Sequence, residues 1–484
     1  MRFSKRSALI GAAAIIVALI AIVSTVFVGH ISAAPAPAVT LHAHPVSVNP
    51  QTQPAGAPTN HVFGCQTDRG PNAIVCYSPQ QIDTAFSIND LHNDGITGKG
   101  HTIVIIDAYQ NPAMQADLAA FDQTFGLPTP DFVQVAPDGL TPFNPTDPNQ
   151  VGWASEIALD VQWSHAIAPG AKIELVLAKS NQDADILSVT KWAVDHNVGD
   201  IISQSFGENE NCVDPKLLKQ EHAAFKEATA KHITIFASSG DQGAAQQTCD
   251  GNSWVQVASS PASDPLVTAV GATELFAAPA CRDPVTLEEI PCPEPAPPAG
   301  TYNHEIALNE PPGLFTAGSF STGGGYSDLY TRPDYQVGLP NSRDGKRGVP
   351  DVAFTGSINH GVLASCAVCA GGSTPVFFIF GGTSVGSPCW AGLAALADQL
   401  AGHRLGFISE AIYKIGKNDE WYAKAFHDTT VGNNTVQEPD VTNTLVTVQG
   451  FNATTGWDAT TGWGTPKADS FIPLLVQLLT GHDE

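Results

Sequence analysis

The chain has 484 residues, 47 acidic and 22 basic, giving a formal charge of −25, and 43% of it is hydrophobic. That apolar fraction can fill a large core, which excludes a mostly disordered chain. The acidic balance excludes a nucleic-acid binder, because no basic face is available to displace counterions from phosphates, and it suits work in acid, where carboxyls take up protons.

From the N-terminus, Arg2, Lys5 and Arg6 precede an uncharged run at 8–28 and small residues at Ser32, Ala33 and Ala34. This is the pattern of an export signal with a cleavage region, and an uncleaved membrane anchor is the alternative. Residues 1–34 are read as that signal or anchor, residues 35–75 as a Pro/Ala-rich tether, and residues 76–484 as one globular domain. Nine cysteines fit an exported chain. Their spacing suggests local bridges of Cys65 with Cys76, Cys212 with Cys249, Cys281 with Cys292 and Cys366 with Cys369, although spacing alone does not fix connectivity. Cys389 is left over, in an apolar stretch that suits a buried, inert thiol.

Within the domain, strands are expected at 102–107, 172–177, 200–204, 233–237, 266–270 and 376–380, and helices at about 150–166, 184–196, 215–231 and 385–401. Apolar strands alternating with amphipathic helices imply an α/β fold: a mainly parallel sheet with helices on both faces and its site at the carboxyl ends of the strands.

Four segments could carry chemistry. In the first, Glu156 and Asp160 are four residues apart and share a helix face, beside apolar Ile157, Leu159 and Val161. Paired carboxyls that are buried share protons, an acid–base device for low pH; a solvated helix face is the plainer reading. In the second, Asp241 follows a strand between Gly240 and Gly243, a site position or a simple turn. In the third, Gly382-Thr383-Ser384 with Pro388 lies between a strand and a helix, placing a serine hydroxyl at a helix N-terminus, either as a reactive group or as an N-cap. In the fourth, Asp428 and Asp458 flank glycine-bent backbone that could offer oxygens to a hard cation, or could simply be turns.

Taken jointly, these segments resemble the sedolisin family of serine-carboxyl peptidases. The run EIALDVQWSHAIAP from Glu156 resembles that family's Glu-x-x-x-Asp helix, Gly382-Thr383-Ser384 with Pro388 its nucleophile motif, and Ser239-Gly240-Asp241 its oxyanion segment. The runs CYSPQQIDTA from Cys76, PASDPLVTAVGAT from Pro261, GGYSDLYTRPDYQ from Gly324 and RGVPDVA from Arg347 extend the similarity over about 76–470. The resemblance implies a three-layer subtilisin-like fold and a secreted endopeptidase active in acid. Ser384 would be the nucleophile, Glu156 the general base, Asp160 its positioning partner and Asp241, kept protonated, the oxyanion donor. It also implies one structural Ca2+, held by Asp428 and Asp458 with backbone carbonyls of Thr429, Thr454 and Gly456. Thr454 departs from the family's glycine-rich pattern there. The expected partner is a polypeptide, with no nucleic acid, no membrane contact outside the N-terminal segment, and a monomeric enzyme.

Family members are usually made with a long N-terminal prodomain, and the roughly 40 residues between the signal and the domain are too few for one with its own core. Two rival readings are a subtilisin-type peptidase using Asp107 and a non-catalytic exported binding protein on the same scaffold. The first lacks a His-Gly-Thr helix start, and His165 reads better as a helix-end residue than as a base.

Overall fold

The β-branched runs of the sequence become the strands of one sheet in a computed structural model that describes residues 62–66, 74–278, 280–283, 289–291, 297–314, 316–339, 342–343 and 345–481. The expected signal or anchor at 1–34, the tether up to residue 61 and Cys292 lie outside the described residues. Eight strands form the sheet: β1 Thr102–Ala108, β2 Asp131–Val135, β3 Lys172–Ala178, β4 Ile201–Gln204, β5 Thr234–Ser238, β6 Thr268–Ala277, β7 Tyr302–Ala307 and β8 Val352–Thr355. They run in the order β7-β6-β5-β4-β1-β3-β2, with β8 also paired to β6. All pairings are parallel except β6 with β7.

Parallel neighbours need crossovers, and helices supply them. They are α1 Met114–Phe125, α2 Pro148–Ile167, α3 Asp183–His196 and α4 Pro215–Ala230, followed by α5 Thr383–Ala401 and α6 Ala468–Thr480. Alternation along β1 separates two cores. Ile103 and Ile105 pack in one with Ile157 and Leu159 of α2, Leu396 of α5 and Phe471 of α6. Val104 and Ile106 pack in the other with Ile186 and Val189 of α3 and Phe225 of α4. Helices therefore cover both faces, the three-layer α/β arrangement expected from the sequence.

Helix α2 positions half of the site. Asp147 caps it by accepting from the Asn149 amide (3.0 Å), with Pro148 at the first helical position, where no amide donor is required. From Trp153 onward every residue of α2 is buried. Its rotation is fixed by Gln162, which donates to the Ser365 carbonyl (2.8 Å) and accepts from the Ser365 amide (2.8 Å), and by Trp163, which donates to the Leu363 carbonyl (3.1 Å). Helix α5 crosses closely enough that a methyl on Gly392 would stand 2.6 Å from Ile167 Cβ.

Several elements differ from the expectation. The strand expected at 376–380 forms as Phe377–Phe380, but outside the main sheet: it pairs antiparallel with His360–Ser365, which also pairs with Val75–Tyr77. Strands β2, β7 and β8 were not anticipated. DFVQV in β2 is a partly exposed edge, and YNHEIA in β7 is mostly polar, so neither has the apolar run that marks a central strand. Three disulfides form as paired above, Cys65–Cys76, Cys212–Cys249 and Cys366–Cys369; Cys281 is bonded too, and Cys389 is a buried thiol. Within the stretch read as tether, Phe63 is buried against Phe125 and Phe377, so packed structure reaches back at least to that residue.

One buried ion pair ties β8 and β6 to the helices behind them. Arg347 and Asp351 are both fully buried, and the guanidinium donates through Nη1 (2.8 Å) and Nη2 (2.6 Å) to the two carboxylate oxygens. Asp351 also accepts from the Ala269 amide (2.7 Å) and the Tyr413 hydroxyl (2.7 Å). Arg347→Leu would leave that carboxylate desolvated without a cation. Denaturant unfolding is expected to register a loss of about 3–5 kcal/mol; a change below about 1 kcal/mol, the range of exposed pairs, would contradict this.

Candidate active site

Three carboxyls meet where β1 runs beneath α2. Asp107 has the same strand parity as Ile103 and Ile105, so it faces α2 rather than the opposite layer. Glu156 and Asp160 lie one helical turn apart on α2. All three are 0% exposed, and none of their six oxygens has a hydrogen-bond partner of normal geometry among the described residues. Burial pushes the Glu156 carboxyl well above the ordinary range, and the charges that act on it, those of Asp160, Asp107 and Asp241, are all carboxyls pushing the same way. The Ser384 hydroxyl opposes them by stabilising the ionised form. Asp160 is raised by burial and opposed by the Ser205 hydroxyl and by Glu156. Asp107 is raised by burial and by Asp160. Such a cluster cannot ionise completely; it holds protons and shares them. The helix pair is thus not a solvated face.

Ser384 is the second residue of α5, directly after a glycine turn. Gly382 has φ +107°, and a Cβ there would stand 2.8 Å from Asp241 Oδ2, so the position requires glycine on both counts. Pro388 carries no amide hydrogen, so the Ser384 carbonyl four residues earlier receives no helix hydrogen bond from it.

Asp241 lies in the loop after β5 and is held by the residue before the serine. Its Oδ1 accepts from the Thr383 amide (2.7 Å) and the Thr383 hydroxyl (2.8 Å), while the Gly240 amide donates to Thr383 Oγ1 (3.1 Å). Oδ2 is left for other use. Burial pushes this carboxyl up to about 6 against the pull of the two Thr383 bonds. Ser384 and Asp241 line one cleft, with Ser205, Gly207, Gly240 and Gln246.

The sequence therefore named Glu156, Asp160, Asp241 and Ser384, which the structure brings together. It offered Asp107 only as a rival's triad member and passed over Thr383 and Ser205. Strand parity was the available signal for Asp107. His165 is buried at the end of α2, its Nε2 2.9 Å from the Pro128 carbonyl, and burial lowers it to about 4, in keeping with a helix-end role.

The fourth segment also assembles. The Gly456 amide donates to Asp428 (3.1 Å to Oδ2), and Asp458 accepts from the amides of Thr454 (2.8 Å), Thr460 (2.9 Å) and Thr461 (2.8 Å). Thr429 is buried, and its hydroxyl has no hydrogen-bond partner among the described residues. Burial pushes Asp458 up to about 7 and raises Asp428. No group of three or more His, Cys, Asp or Glu side chains among the described residues is placed to hold a metal. A site here would depend on two carboxylates and backbone carbonyls, an all-oxygen donor set that fits a hard cation.

These shifts set a pH dependence. Asp241 is raised to about 6, and Glu305 and Glu310 to about 7, by burial in each case. A group raised in the folded state keeps a proton that the unfolded chain has released, so its stabilisation is complete below about pH 4 and is lost as pH climbs through 6 to 7. Asp200, whose bonds to His101, Thr102 and Arg404 outweigh its burial, acts in the opposite sense. The thermal midpoint is expected to fall between pH 4 and pH 7.5, and Asp241→Asn should shrink that fall. A midpoint that is level or higher at pH 7.5 would overturn this account.

The chain is similar in sequence and fold to known proteins. Residues 150–457 match the model of the subtilase family. Kumamolisin of Bacillus sp. (strain MN-32) is 31% identical over 75% of this chain and 58% of its own length. Xanthomonalisin of Xanthomonas sp. (strain T-22) is 28% identical over 82% of the chain and 48% of its own. The chain thus spans about half the length of these curated relatives. The solved structure of Pseudomonas sedolisin, a serine-carboxyl proteinase complexed with pseudo-iodotyrostatin, superposes with a TM-score of 0.65 at 26% identity, over 82% of this chain and 97% of that one. The chain belongs to the subtilase family, in its sedolisin branch.

Proposed function

We propose that the protein is an exported serine-type endopeptidase that hydrolyses polypeptides in acid through Ser384, Glu156, Asp160 and Asp241. The observation that carries this reading is geometric: Thr383, the residue before Ser384, holds Oδ1 of Asp241 through its amide (2.7 Å) and hydroxyl (2.8 Å), while the Ser384 hydroxyl favours the ionised form of the buried Glu156 carboxyl. The Ser384 oxygen attacks the substrate carbonyl carbon as its proton passes to Glu156. The resulting oxyanion accepts from the protonated Oδ2 of Asp241 and from the Ser384 amide, one of the helix-start donors without an acceptor inside α5. The C–N bond then breaks as Glu156 returns the proton to the leaving amine. Water repeats the sequence on the acyl-enzyme, with Glu156 again as base, and releases Ser384. Asp160 positions Glu156, and Asp107 and Ser205 act through Asp160.

Acid is the natural range for such a site. A carboxyl base functions where imidazole would already be cationic. Asp241 donates only while it holds its proton, so the rate is expected to fall as pH rises through about 6. Export is supported by the disulfides, which belong to oxidising compartments. Among the described residues no helix is long and apolar enough to cross a membrane. Asp428, Asp458 and the carbonyls of Thr429, Thr454 and Gly456 are proposed to hold one Ca2+, which would supply positive charge to two buried carboxylates and brace the C-terminal loops.

Three measurements test this reading. Cleavage of acid-denatured protein should peak well below pH 6, and an optimum at pH 7–8 would refute it. Ser384→Ala and Glu156→Gln should each lower kcat by roughly 10⁴-fold or more, while Asp241→Ala loses ~10²–10³. Millimolar Ca2+ should raise the thermal midpoint of the wild type, through a stabilisation of about 2.7 kcal/mol when the ion is 100-fold above its Kd, and leave the midpoint of Asp458→Ala unmoved.

A further inference from the structure

The cleft beside Ser384 carries a second message once the peptidase reading is accepted, since this inference rests on that reading. Away from Ser384 and Asp241 its lining includes Ser205, Phe206, Gly207, Gln242, Gln246 and Ser259, mostly polar or small residues with one aromatic ring among them. Asp241 is the one carboxyl among the residues that line it. Glu208, next in sequence to Gly207, belongs to a separate pocket with Asp183 and Glu221.

Gln246 is the distinctive member. It is 8% exposed, and its side-chain amide makes no hydrogen bond with the described residues. Its Nε2 stands 3.2 Å from the point where a Cβ on Gly240 would lie, which sets the amide against the loop that carries Asp241. Neither of its amide atoms is both buried and unpartnered, so the amide still reaches water in the cleft, and a substrate side chain that displaces this water must replace its hydrogen bonds. On the other wall, a Cβ on Gly207 would collide with Ser259 Oγ, so Gly207, just before the strand Glu208–Asn209, packs without intervening space against the paired strand Ser259–Ser260.

We propose that this cleft selects the residue whose carbonyl Ser384 attacks, and that it takes an uncharged amide side chain, glutamine or asparagine, paired reciprocally with the Gln246 amide. A lysine or arginine there would bury its charge against a neutral wall, because Asp241 must keep its proton to serve the oxyanion. A leucine or phenylalanine would exclude water from Gln246 and leave its polar atoms unpaired. A glutamate is an acceptable mimic of glutamine only while it is protonated.

The test uses quenched-fluorescent peptides that differ only in the acyl-side residue, cleaved by the wild-type protein. Glutamine and asparagine peptides are expected to exceed leucine, phenylalanine, lysine and arginine peptides in kcat/KM by about tenfold or more. The glutamine-to-glutamate ratio should rise as pH increases from 3 to 5.5, where the substrate carboxyl ionises. In Gln246→Leu, the ranking of glutamine and leucine peptides should invert. Wild-type preference for basic or apolar residues, a ratio indifferent to pH, or an unchanged ranking in Gln246→Leu overturns the assignment and leaves the peptidase reading intact. If the wild type cleaves no peptide in the set at any pH, the peptidase reading itself falls, and this inference with it. The wild-type ranking and its pH dependence decide the matter even if the variant does not fold.

Discussion

Three carboxyl groups buried together, with no cation acting on them among the described residues, are the constraint on which the rest of the site depends. Asp107, Glu156 and Asp160 have no exposure, and the charges acting on Glu156 are themselves carboxyls. At least part of this cluster must hold protons, since ions in a low-dielectric interior repel one another and lack hydration. A group that holds its proton reluctantly in water holds it readily here. The member of the cluster that is ionised is therefore a stronger base than a carboxylate in water, which suits it to take up a proton from a hydroxyl.

The second half of the site has the same logic in a different form. Thr383 grips one oxygen of Asp241 through both amide and hydroxyl, which leaves the other oxygen beside Gly382. The residue next to the serine thus orients the Asp241 carboxyl, and the helix start and the loop that carries Asp241 form a single unit. Other buried carboxyls follow the pattern: Glu208 is pushed up to about 9 and Glu221 to about 8, both chiefly by burial. Neutral pH asks many interior groups to ionise at once, so stability and the proposed activity decline in the same direction. Arg347 and Asp351 are the contrasting case, a buried pair fully reciprocated by two hydrogen bonds between the partners.

Much of this was legible in the amino-acid order. Runs such as TIVIID and KIELVL specified central strands because a strand covered on both faces needs apolar residues at every position. The four-residue interval between Glu156 and Asp160 followed from helical periodicity, and Gly382-Thr383-Ser384 marked a turn into a helix. The edge strand DFVQV and the polar YNHEIA were missed because their pairing comes from neighbours rather than from their own hydrophobicity. FFIF was read correctly as a strand but assigned to the wrong sheet, since hydrophobicity reports burial and does not name a partner.

The chain's order by itself determined the central apolar strands, the helices at 150–166, 184–196, 215–231 and 385–401, and which residues carry carboxyl or hydroxyl chemistry, because those properties are set by local spacing and side-chain type. Only the tertiary structure decided that Glu156 and Asp160 are buried rather than solvated, that Asp107 joins them from the strand beneath α2, and that Gln246 reaches the cleft. Those facts depend on contacts between residues far apart in sequence, and protonation in an interior depends on everything that surrounds a group, which no local pattern records.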